Sequence, residues 1–191
     1  MNNIYINSIL LIGPSDTLKN DISIILSEKL DMPIISISSF KDKYYNQLKY
    51  DKSKAASFKK EKGILGRYKY LKQFEAHHVA NALEDIEDEG ILSLEATETV
   101  YENQVFFNKV SEVIKKFSNI FFILPSSNLE ETWKITNKIG KVPLNSDMAK
   151  LNWHLISSPC NSHLATHTIY RNDRTCDEIV AEIIECVISK K

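Results

Sequence analysis

The sequence predicts an α/β protein, a three-layer α/β/α sandwich around a mostly parallel five-stranded sheet. Short apolar runs recur along its 191 residues at Ile9 to Ile12, Pro33 to Ile37, Ile91 to Leu94 and Ile120 to Leu124, with a weaker one at Thr166 to Tyr170. They are continuous rather than alternating, as strands buried on both faces must be. Between them lie apolar positions at helical spacing, and strands that alternate with helices wind into a parallel sheet covered on both sides.

The elements follow in order. The first run leads through a turn into a helix whose apolar face is Ile22, Ile25, Leu26 and Leu30. The second is followed by a long segment, 38–66, whose Lys52, Lys54, Lys59, Lys60 and Lys62 read as a solvated surface. Leu71, Phe74, His78, Val79, Ala82, Leu83 and Ile86 form the helix before the third strand, and Val105, Phe106, Val110, Val113, Ile114 and Phe117 the helix before the fourth. Leu129, Trp133 and Ile139 suggest another helix, a second insertion covers 140–160, and Ile179, Val180, Ile183, Ile184, Val187 and Ile188 end the chain on its cleanest helical pattern. With no linker, repeat or low-complexity stretch, one domain over 1–191 is expected. Insertions beyond the carboxyl ends of such strands usually serve a ligand.

The first strand and turn carry the most informative residues. Gly13-Pro14-Ser15-Asp16-Thr17-Leu18-Lys19-Asn20 stands where Gly-x-x-x-x-Gly-Lys-[Ser/Thr] would cradle nucleotide phosphates at a helix N-terminus. Gly13 and Lys19 match, but Leu18 replaces the second glycine and Asn20 the hydroxyl. A leucine Cβ obstructs the close backbone approach a glycine permits. An amide is a poor substitute for the hydroxyl that sits on Mg²⁺. Asp16 adds a carboxylate that, at about 5 Å and an effective dielectric of about 20, costs a bound phosphate roughly 3 kcal/mol. For Lys19 the alternatives are a phosphate ligand and an ordinary surface lysine in the first helical turn.

Composition narrows the function. A net charge of −1 offers no field for nucleic acid or anionic membrane. The N-terminal residues lack a basic signal region and no apolar run reaches the roughly 20 residues of a membrane span. Cys160, Cys176 and Cys186 share no close spacing, which suits reduced thiols and a cytoplasmic protein. Cys160-x-x-His163-x-x-x-His167, with His154 nearby, has a spacing worth testing for zinc, but unrelated polar residues are the favoured reading and no metal site is expected. The 24 basic residues include only three arginines, Arg67, Arg171 and Arg174, so few bidentate phosphate forks can be built.

The loop and first helix, the strand ending Ile35-Ser36-Ile37-Ser38, the helix with Phe74-Glu75-Ala76-His77, the strand Gly90-Ile91-Leu92-Ser93-Leu94 and the C-terminal strand and helix together resemble the shikimate kinase family of small P-loop kinases. The likeness in pattern covers most of the chain, and Tyr44-Tyr45, Val100-Tyr101-Glu102 and Thr168-x-Tyr170 resemble one sub-branch. It implies a P-loop NTPase fold, a nucleotide site at Gly13 to Asn20, and Arg171 and Arg174 beside the adenine. It also implies substrate contacts at Ser38, Glu75 and Thr97, a substrate insertion at 38–66 and a lid at 140–160.

The departures fall at the family's own motifs. The second-strand aspartates are replaced by Ser36-Ile37-Ser38-Ser39, the arginine after the helix phenylalanine by Glu75, the glycine turn after the third strand by Glu95-Ala96-Thr97, and the lid holds no arginine. Phosphoryl transfer depends on positioning and on charge stabilisation by Mg²⁺, Lys and Arg. The leading expectation is therefore a catalytically impaired pseudokinase that binds a small-molecule ligand or a protein partner. The alternative is an active ATP- and Mg²⁺-dependent kinase of a small hydroxylated metabolite, with Lys19, Glu95 and Glu98 catalytic and Thr17 or Asn20 near the metal. An unrelated α/β protein is the third reading. Tyr44, Tyr45 and Phe74 read equally as core or pocket wall, and the oligomeric state stays open.

Overall fold

The computed structural model describes residues 7–15 and 18–189. Asp16 and Thr17, two of the expected loop residues, lie outside them. The five strands are β1 (Ile9–Gly13), β2 (Ile34–Ile35), β3 (Ile91–Glu95), β4 (Asn119–Leu124) and β5 (His167–Tyr170). They form one parallel sheet in the order β2-β3-β1-β4-β5. All expected strands are present. The second is shorter than 33–37 because Pro33 has no N–H for a ladder and Ser36 caps a 3₁₀ turn over Ile37–Phe40, accepting from the Ser38 N–H.

Successive residues of the strands feed opposite faces, as the pleat requires. Leu10, Ile12, Leu92, Leu94, Ile120 and Phe122 join one apolar cluster, while Ile9, Leu11, Ile91, Phe121 and Ile123 join the other. The first face is covered by the helices α3 (Lys52–Glu84) and α5 (Gln104–Ile114), the second by α1 (Lys19–Leu30) and α9 (Cys176–Ile188). The α9 N-terminus is a capping box between Thr175 and Glu178.

The insertion at 38–66 is helical rather than a loop. After the 3₁₀ turn come α2 (Lys41–Gln47) and the first three turns of α3, which bends at Gly63, φ 67° and ψ −163°. A positive φ of this kind favours glycine. The second insertion turns at 140–146, then forms α7 (Asp147–Ser157) and a short α8 (Cys160–Leu164).

The helix α6 (Leu129–Ile139) does not bury the face its apolar residues suggest. Leu129 and Ile139 are exposed, and Thr132, Thr136 and Asn137 are buried instead. Two of the three have partners: Thr132 Oγ1 bonds both the N–H and the carbonyl of Ser126, and Asn137 donates to Trp133 O while accepting from Asn152. Trp133 Nε1 donates to Ala149 O at 2.7 Å and so ties α6 to α7.

Candidate functional site

The strand register sets the site. Gly13, the last residue of β1, pairs directly with Glu95, the last of β3. Gly13 has φ 147°, and a Cβ there would meet Ile123 O of β4 at 2.5 Å, so only glycine lets the three strand ends converge.

Leu18, at the place of the second glycine, adopts φ 61° and ψ 16°, the left-handed conformation a glycine would take. The Cβ obstructs but does not exclude these dihedrals: the turn forms, at a strain of about 1–2 kcal/mol for a non-glycine residue. Its side chain packs on the apolar cluster of β1, β4 and α9, which offsets the strain.

Lys19 is not a surface lysine. Its side chain is 3% exposed and folds back over the loop, donating to Pro14 O at 2.6 Å and Gly13 O at 3.2 Å. Its Nζ also lies 3.3 Å from Glu95 Oε1, and Ser15 Oγ donates to Glu95 Oε2 at 2.7 Å. Thus the loop's lysine and hydroxyl are both bonded to one carboxylate of the chain itself. Asn20 is exposed and shares a cavity of about 310 Å³ with Ser23, Ser36, Ser93 and Glu95.

Glu95 opens the short helix α4 (Ala96–Thr99), and its N–H donates to Glu98 Oε2 at 2.8 Å. Burial raises the Glu98 carboxyl above its usual range, against that backbone bond, and Glu75 and Glu95 push it further up. Thr99 Oγ1 donates to Asn161 Oδ1 at 2.6 Å, which ties α4 to α8.

Sequence reasoning missed Lys72. Its Nζ is buried, donating to Glu75 at 3.0 Å and to Thr97 O, with the Tyr101 and Tyr68 rings 4.1 and 4.8 Å away. Burial lowers its pKa, against the pull of Glu75. Of the expected substrate residues, Glu75 and Thr97 are thus joined through Lys72, while Ser38 is exposed in the 3₁₀ turn and hydrogen-bonded to Ser36. Tyr44, Tyr45 and Phe74 are all buried, and the Tyr45 hydroxyl has no hydrogen-bond partner among the described residues. Helical phase was the available signal for Lys72, since it shares a face with buried Tyr68, Ala76 and Val79.

A cleft of about 210 Å³ separates the loop from the expected lid, walled by Pro14, Ser15, Ala96, Thr97, Thr136, Gly140, Val142, Met148, Asn152, Leu155 and Ile156. None of these is charged. Thr136 Oγ1, which sequence reasoning also missed, is buried there with no hydrogen-bond partner among the described residues.

Arg171 and Arg174 follow the edge strand β5, at the same carboxyl-terminal end of the sheet as the loop. Arg174 is taken up by Glu182 and Tyr170 O, and Arg171 Nε is buried with no hydrogen-bond partner among the described residues. Cys160 and His163 line one cleft together, whereas His167 lies on β5 with its ring stacked on Phe121. The spacing that suggested zinc therefore spans two separate places.

Strand order, the loop between β1 and α1, and the helical arm after β2 define a P-loop kinase fold. Solved structures share it along the whole chain. Shikimate kinase from Acinetobacter baumannii, in complex with shikimate, superposes with a TM-score of 0.61 at 14% identity, covering 97% of this chain and 95% of that one. Shikimate kinase from Aquifex aeolicus gives 0.57 at 16%, covering 96% and 97%, and a gluconokinase from Sinorhizobium meliloti gives 0.50 at 10%, covering 97% and 93%. No protein-family model matches the sequence, and no curated protein does. Among the described residues no helix is long and apolar enough to cross a membrane.

Proposed function

We propose that this chain is a pseudokinase on the P-loop kinase scaffold, whose phosphate loop is satisfied internally and whose cleft holds an uncharged small molecule. The observation that carries the reading is the Glu95 carboxylate bridging Ser15 and Lys19. An incoming phosphate must displace this anion before it reaches the lysine. The residues present do not suit MgATP: Asn20 stands in the hydroxyl's place, and the cleft facing the lid has no cation to stabilise a transferring phosphoryl group.

The acceptor side argues against an acidic ligand. Thr97 lines the cleft, Glu75 is joined to it through Lys72, and burial and then Glu75 raise the pKa of Glu98, so the nearby charge is acidic and its one ammonium is already held. An apolar wall of Val142, Met148 and Leu155 with the unpartnered Thr136 hydroxyl suits a compact neutral molecule bearing a hydrogen-bonding group.

One observation favours a second reading. Glu95 also lines the cavity beside Asn20, so a carboxylate could serve Mg²⁺ there once its pair with Lys19 opens, and the chain would be a kinase with a rearranged site. Calorimetric titration of ATP with and without Mg²⁺ separates the two. Binding no tighter than about millimolar supports the pseudokinase, and a magnesium-dependent constant of about a micromolar overturns it.

A further inference from the structure

A cleft of about 600 Å³ lies away from the loop, between the Val100–Glu102 turn, α5 and the α7–α8 connection. Tyr101, Phe107 and Pro159 give it an apolar wall. Its polar lining includes Lys115, Glu102 and two histidines. His154 Nε2 lies 2.6 Å from Glu102 Oε1, so the acid among the lining residues already has an imidazole beside it. Lys115 and His163 also line it, are exposed, and have no side-chain partner among the described residues. The uncommitted donors outnumber the uncommitted acids, and they border an apolar surface of ligand-binding size.

We infer that this cleft is a second ligand site, for a small organic anion with an apolar body whose carboxylate or phosphate is taken by Lys115 and His163. An ammonium and an imidazole N–H both make charge-assisted bonds to such a group. The apolar body would lie on Tyr101, Phe107 and Pro159. The inference does not depend on the reading of the loop, since neither Lys19 nor Glu95 borders the cleft.

Cys160 gives a local reporter, because its thiol lines the cleft and donates to Tyr101 O at 3.6 Å. The full chain is alkylated with iodoacetamide and Cys160 modification is followed by peptide mass spectrometry, with benzoate, phenyl phosphate, benzyl alcohol or benzylamine present. Both anions are expected to slow modification of Cys160 at roughly millimolar concentration, and Lys115→Ala and His163→Ala each to weaken that protection by about fivefold or more. Both substitutions are at exposed side chains, so folding is retained. Protection by the alcohol or the amine equal to that by the anions overturns the inference, as does an absence of protection up to roughly 10 mM or protection unchanged in both variants.

Discussion

Lys19 and Glu95 close on each other across the mouth of the loop, the ammonium 3.3 Å from the carboxylate and the lysine side chain almost wholly shielded from solvent. The pair links the start of α1 to the end of β3. Glu95 is 43% exposed, so water screens the attraction, and the pair itself is worth about 1 kcal/mol or less. On the proposed reading its importance is occupancy: the carboxylate already engages the lysine that a phosphate would have to reach. Glu95→Gln should therefore tighten ATP binding by about tenfold, provided the rest of the loop can still cradle phosphates. Calorimetry on wild type and variant measures this, and unchanged or weaker binding in the variant removes the internal anion as the cause.

Leu18 allows strain and packing to be separated. Leu18→Ala keeps the Cβ in a left-handed conformation and loses the contact with the cluster of β1, β4 and α9. Leu18→Gly loses the same contact but relieves the strain. The glycine variant should be more stable than the alanine variant by about 1 kcal/mol, the reverse of their usual order in a helix. Urea unfolding of the two decides it; alanine equal to or better than glycine would mean the left-handed turn is not adopted.

Lys72 and Glu75 form the most buried ion pair described, with Glu75 only 13% exposed. Lys72→Met should cost about 3 kcal/mol because it strands the carboxylate, and adding Glu75→Gln should restore much of the loss. The pH dependence has a definite sign. Burial holds the native Lys72 pKa below the ordinary 10.5, so the unfolded chain binds the proton more readily between the two values. Stability of wild type relative to Lys72→Met should then rise with pH across that interval. Denaturation midpoints of both proteins from neutral to alkaline pH test this, and a difference that stays flat or falls contradicts it.

How far the fold was legible follows from where the forces act. The strands were readable because burial on both faces imposes a local, continuous apolar signature, and the helices of α1, α5 and α9 because one face must meet the sheet. α6 misled because its buried positions are Thr132, Thr136 and Asn137, and the hydrogen bonds that Thr132 and Asn137 make to the Ser126 turn and to α7 form only once those elements meet. The lysine-rich half of α3 carried no apolar stripe to announce a helix. At the site, Gly13 and Lys19 were visible as a motif, but the burial of Lys19 depends on Glu95 arriving through the register of β1 with β3, which no local pattern encodes. Lys72 was hidden for a similar reason, since lysine is rarely buried unless it is paired.

The final prediction concerns Lys19 itself, where structure and sequence differ most. As a surface lysine it could be removed at little cost. In the structure Lys19→Ala removes a donor from the carbonyls of Gly13 and Pro14 and the ammonium beside Glu95. Loss of partners to a part-buried site of this kind costs about 1–2 kcal/mol, and Glu95, being partly solvated, adds little. Chemical denaturation should show that loss, and a change below about 0.5 kcal/mol would return Lys19 to the surface. The same pair of proteins tests activity. In an active kinase the ammonium would stabilise charge on the transferring group, and its removal would lower turnover by about a hundredfold or more. In a pseudokinase neither protein turns over ATP with shikimate, gluconate or related polyols. Turnover present in wild type and lost in Lys19→Ala overturns the proposed function and makes Glu95, beside Asn20, the first residue to examine as the magnesium ligand.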